Sequence, residues 1–143
     1  MKIIKEKKYY IFSFLIPIVI FLIAGTFFHL YPFGDIGVLT IDGASQHPGL
    51  GSYFREVLLG NASLFYSFKG GLGYNFYSTA AYYLFSPLHV LSIFFKTENI
   101  QYFYALSVLL KFGLCGLSMF TFLKYRTGDK FSSLLLSVCY SLM

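Results

Sequence analysis

Between Tyr9 and Leu30 the chain runs for 22 residues without a charge. As a helix rising 1.5 Å per residue this run is about 33 Å long, enough to cross a hydrocarbon core of roughly 30 Å. Pro17 is expected to kink it. Secretory signal cores run to about 7–15 residues and end at a small-x-small cleavage site. This run is longer, and Ala24-Gly25-Thr26 is a poor site. It reads as a transmembrane helix over 9–31, behind a basic cytoplasmic N-terminus, 1–8, that carries Lys2, Lys5, Lys7 and Lys8. Only 12% of the chain is charged and 57% is hydrophobic, against about 25% charged in soluble domains. A water-soluble enzyme is excluded, as are disordered and disulfide-scaffold classes. The expected class is an all-α integral membrane protein, multi-pass in the cell membrane, with the lipid bilayer as its solvent.

Eleven Lys and Arg against six Asp and Glu give a net charge of +5. The cations sit where topology is written: before the first apolar run, and as Lys124, Arg126 and Lys130 after a later one. Outside those flanks no basic helix or basic-aromatic motif is present, so no nucleic-acid partner is expected. Cys115 and Cys139 lie in apolar runs without CxxC spacing and read as small buried hydrophobes.

Residues 32–76 change character, with Pro32, Pro48, many glycines and most mid-chain charges. By alternation they form a long extracytoplasmic loop, and loops beyond about 12–15 residues are commonly functional. Within it, Leu50, Tyr53, Phe54, Val57 and Leu58 have helical spacing. They predict an interfacial amphipathic helix over 49–59, with Pro48 opening it and Gly60 closing it. Segment 77–95 is apolar but interrupted by Ser86, Pro87 and His89, and reads as re-entrant, interfacial or transmembrane. Segment 100–123 is a transmembrane helix. If 77–95 does not cross, the basic loop 124–130 falls in the cytoplasm, as the positive-inside rule favours. The closing run 131–143 makes about 20 Å of helix, the start of a truncated span, so the chain is expected to be the N-terminal piece of something longer.

Few residues carry chemistry. Asp42, in Thr-Ile-Asp-Gly-Ala-Ser-Gln-His-Pro, is a carboxylate just outside the first span. Within hydrogen-bond reach of an acceptor hydroxyl it would serve as a general base, and Gln46 would orient the substrate. Asp-Gly is equally a common turn pair. Asp35 is a second carboxylate in the same loop. Lys111 stands inside a span, where an ammonium costs about 2.5–3.5 kcal/mol on insertion scales unless it meets protein, water or an anion such as a lipid-linked phosphate. His29, His47 and His89 share no metal-ligand spacing, and neither a metal nor another cofactor is called for. Asn61-Ala62-Ser63 is a short glycosylation sequon, and Gly70-Gly71-Leu72-Gly73 lacks the context of a nucleotide loop and reads as a tight turn.

Several stretches recur together. They are Asp42 to Gln46, Ser52 to Gly60, Phe65 to Asn75, Tyr82 to Pro87, Lys111 to Leu117 and Cys139 to Leu142. In this order they resemble the start of the bacterial YfhO membrane-protein family, over about residues 9–143. The resemblance implies a polytopic GT-C-like glycosyltransferase that takes sugar from a polyprenyl-phosphate donor on the extracytoplasmic side. The acceptor it implies is a cell-wall polymer such as lipoteichoic acid. It also implies catalysis by an acidic residue of the first extracytoplasmic loop, the place that Asp42 matches, with Gln46 completing an Asp-x-x-x-Gln pattern. Asp35 and Lys111 are the further substrate-binding candidates. His47-Pro48 departs from the longer aromatic link expected before the proline. The rival readings are a polytopic transporter or lipid flippase, and an inactive truncated fragment.

Overall fold

The computed structural model describes residues 2–143, with side chains from Lys7 onward except that of Asp42. It is mostly helical, with α1 (Lys2–Phe27), α2 (Asp42–Leu58), α3 (Phe76–Tyr83), α4 (Ile100–Thr127) and α5 (Lys130–Ser141). A small antiparallel hairpin, β1 (Tyr66–Ser67) and β2 (Tyr74–Asn75), pairs Tyr66 with Asn75 and Ser67 with Tyr74. This departs from a purely helical expectation. The chain divides into two compact units, 1–36 with 108–143, and 37–107.

The first unit holds α1, α5 and most of α4. Two stretches, Lys7–Phe27 and Thr97–Thr127, are long and apolar enough to cross a membrane. Ile11, Phe12, Leu15, Val19 and Ile23 on α1 are exposed, the surface expected of a helix solvated by lipid rather than water. Pro17 has no N–H to give the carbonyl of Ser13, four residues back. In a bilayer such a carbonyl must be covered, and Gly116 of α4 lies directly against it and against the Pro17 ring. Ser13 and Pro17 are fully buried. Aromatic contacts extend the seam: Tyr10 meets Phe120 edge-on at 5.0 Å, and Phe21 meets Phe112 at 4.8 Å. Lys124 donates to the Tyr10 hydroxyl at 3.2 Å.

Two helix ends differ from their sequence-based bounds. The first span was expected to run to residue 31, but α1 stops at Phe27. The Leu30 amide reaches back to the Gly25 carbonyl at 2.8 Å, and His29 takes φ 51°. This is the Schellman pattern, here closed by histidine rather than glycine. At the other end Gly128, at φ 73°, terminates α4. Asp129 then caps α5 by accepting from the amides of Phe131 and Ser132, and hydrogen bonding from the Ser132 side chain, with the backbone amides behind it, holds its exposed carboxyl below the usual range. Buried Ser133, Ser137 and Ser141 form one face of α5, and α5 packs on α1.

The second unit has two clusters. Tyr53 and Phe54 of α2 pack with Phe76, Ala80 and Leu84 of and after α3. Ile100, Phe103 and Tyr104, from the first turns of α4, pack with Val38, Leu39, Leu91 and Phe95. Helix α2 begins seven residues before the expected 49, so Pro48 lies inside it rather than at its first turn. Segment 77–95 is not one helix. It holds most of α3 and a 3-10 helix, Pro87–Phe94, separated at Leu84 to Ser86. Eight residues of α-helix span only about 12 Å.

Because Gly116 admits no side chain against the Ser13 carbonyl, Gly116→Val is expected to overpack this crossing. The cost should be about 1–3 kcal/mol, read as a lower thermal unfolding midpoint of the chain in detergent micelles. An unchanged midpoint would contradict the close approach.

Candidate functional site

The second unit contains a concave pocket of about 500 Å³, within the range of small-molecule sites. One wall is α2, which contributes Gln46, Gly49, Leu50 and Tyr53. Helix α3 contributes Thr79 and Tyr83, and the hairpin supplies Lys69 and Tyr74. The walls are built from short-range rules. Asn75 caps α3 by accepting from the Ser78 amide. The hairpin turns through Gly71 and Gly73, at φ 56° and 102°. A side chain at Gly73 would also strike the Tyr66 ring, so the turn demands glycine twice over. The Tyr53 hydroxyl lies 3.0 and 3.1 Å from the carbonyls of Ser63 and Tyr66, tying the hairpin arm to α2.

Helix α2 is itself fixed from α4. The Tyr104 hydroxyl donates to the His47 carbonyl at 2.6 Å. It reaches that backbone only because Gly51 leaves the groove open: a Cβ there would meet the Tyr104 ring. The His47 ring stands edge-on to Tyr83 at 5.5 Å and to Tyr104 at 5.8 Å. His47 thus links the supporting Tyr104 to the pocket residue Tyr83. His89, buried below, touches Phe54, Phe103 and Tyr104, a packed core position rather than a ligand.

Of the sequence-predicted residues, Gln46 lines the pocket and is exposed. The side chain of Asp42 lies outside the described residues. Its backbone opens α2, four residues before Gln46, and residues four apart share a helix face. The preceding Ile41 has φ 49° and ψ −119°, a combination that strains a β-branched residue by about 1–3 kcal/mol. Asp35 and Lys111 belong to the first unit and line no part of this pocket. Both are exposed, and Lys111 makes no ion pair with any described acidic side chain. The sequon residue Asn61 donates to Glu56 at 3.0 Å. With Arg55 and the charge of Lys69, that bond holds the Glu56 carboxyl below its usual range. No group of three or more His, Cys, Asp or Glu able to hold a metal exists among the described residues.

The bacterial membrane protein YfhO family matches residues 13–143. This chain belongs to that family. No curated protein and no solved structure matches it. Family membership and two membrane-length apolar helices make it a helical membrane protein. Sequence reading missed Lys69, Tyr74, Thr79 and Tyr83 as pocket residues. The available signal was a lone lysine set before Gly70-Gly71-Leu72-Gly73 and followed at once by the α3 cap.

Two predictions test this geometry. Tyr104→Phe should cost about 0.5–1.5 kcal/mol, and Gly51→Ala should cost less in the Tyr104→Phe background than in the parent. A double-mutant cycle on thermal unfolding reads that coupling, and strict additivity would sever the link. Ile41→Gly should raise the unfolding midpoint, since glycine occupies this backbone region without strain. A fall would mean that Ile41 is unstrained.

Proposed function

We propose that the chain carries an acceptor-activating site of a membrane glycosyltransferase, one that moves sugar from a polyprenyl-phosphate donor to a cell-wall polymer such as lipoteichoic acid outside the cytoplasm. The observation that carries this reading is that Gln46 lines a tyrosine-rich pocket on the helix that Asp42 opens. Aromatic rings offer flat apolar faces to the C–H surface of a sugar, while tyrosine and threonine hydroxyls and the glutamine amide match its hydroxyls. Membership of the family supports the assignment to membrane-linked chemistry.

The reaction balances without a cofactor. An acceptor hydroxyl attacks the anomeric carbon, its proton passes to the Asp42 carboxylate, and the bond from the anomeric carbon to the phosphate oxygen breaks. The electron pair leaves with the polyprenyl phosphate. Gln46 holds a substrate hydroxyl. Lys111, an ammonium inside a membrane-length helix, contacts a lipid-linked phosphate at depth, and Asp35 contacts substrate from its own loop. A transporter or lipid flippase is the second reading, favoured by the mid-helix charge of Lys111, which makes no ion pair among the described residues.

Asp42→Asn in the membrane-embedded protein should lower sugar transfer by about 10²–10⁴-fold, the usual contribution of a general base, while insertion is unchanged. Transfer is measured as labelled sugar moved from the lipid donor to polymer. Transfer at the parental rate would remove Asp42 from the reaction. Movement of lipid substrate without transfer, lost in Lys111→Gln, would establish the second reading.

A further inference from the structure

We infer that Lys69 makes this pocket an anion site, which takes a phosphorylated polyol through its phosphate. The inference deepens the glycosyl-transfer reading and rests on it for the polyol part of the ligand. Lys69 is exposed, and its ammonium lies 5.5 Å from the centre of the Tyr53 ring. Among the described residues it makes no ion pair. Glu56, whose charge it feels, is already held by Arg55 at 2.6 Å and by Asn61. An ammonium carries three donors, and a ring face satisfies its charge only in part. The cation is therefore left for something that enters the pocket.

The position is built rather than incidental. The Lys69 amide donates to the buried Ser67 hydroxyl at 3.2 Å, and the glycine turn follows immediately. At Gly70 a Cβ would strike the Tyr74 ring, so the backbone beside Lys69 is packed against a pocket wall. The pocket is also lined by Gln46, Thr79 and Tyr83, which supply an amide, a hydroxyl and a phenol. One cation beside neutral polar groups and ring faces selects an anionic head joined to a polyhydroxylated body. Lysine is a common phosphate binder that acts as a point charge. Two sources carry this chemistry: the sugar phosphate of a donor, and the glycerol or polyol phosphate of an acceptor polymer.

The test is calorimetric titration of the full chain in phosphatidylcholine nanodiscs with glucose 1-phosphate, glycerol 3-phosphate and glucose. At least one phosphate probe should bind saturably, and glucose at least about tenfold more weakly. Lys69→Gln should weaken the phosphate probe by about tenfold or more. Lys69→Arg should restore most of the loss, and Lys96→Gln, an equal charge change outside the pocket, should leave affinity unaltered. Tighter binding of glucose 1-phosphate supports the site as a donor site, and tighter binding of glycerol 3-phosphate supports it as an acceptor site. Absence of saturable binding by either, or parental affinity in Lys69→Gln, overturns the inference. That failure would leave the transfer reading standing on Asp42→Asn. Intact Lys69-dependent binding beside undiminished transfer in Asp42→Asn would keep the site and remove the base.

Discussion

A helix that carries proline in a lipid environment has one carbonyl too many, and here that carbonyl is covered by a glycine. Pro17 frees the oxygen of Ser13, and Gly116 brings α4 close enough to cover it. The cost of an uncovered backbone group in hydrocarbon is several kcal/mol, so this crossing fixes where α1 and α4 meet. The second unit repeats the device with different chemistry. Gly51 lets the Tyr104 hydroxyl rest on the α2 backbone at His47. Pro48 in α2 likewise frees the carbonyl of Ala44, but Ala44 is an exposed residue, where water can serve. The same residue type therefore demands a protein partner in one helix and none in the other.

Most of the helical scaffold was legible because its signals are long. An uncharged run of 22 residues has few alternatives. The misplaced boundaries have different causes. Pro48 reads as a helix start, yet α2 opens at Asp42 and carries it inside. Gln46 and His47, polar and unremarked by periodicity, lie on the added turns. His29 gives no sequence warning that it will take the left-handed conformation that ends α1 four residues short of the expected bound. The β-hairpin escaped because two-residue strands have no period to detect.

The pocket was legible only along one wall. Gln46 was found as a neighbour of Asp42 and through the family resemblance, a one-dimensional signal. Tyr74, Thr79 and Tyr83 meet it through a turn, a cap and a tyrosine hydroxyl that bonds across 13 residues, and no local pattern encodes that closure. Lys69 shows the difficulty most plainly. Its place in the pocket depends on the Tyr53 ring, 16 residues earlier in the chain, which no local pattern links to it.

The connection between α4 and α5 is only Gly128 and Asp129. Three cations, Lys124, Arg126 and Lys130, crowd around this turn. Moving charged side chains through hydrocarbon is expensive, and a link this short cannot pay out slack for one helix to enter ahead of the other. The two-residue link therefore gathers all three charges at one end of α4, and that end of the helix resists being drawn into hydrocarbon.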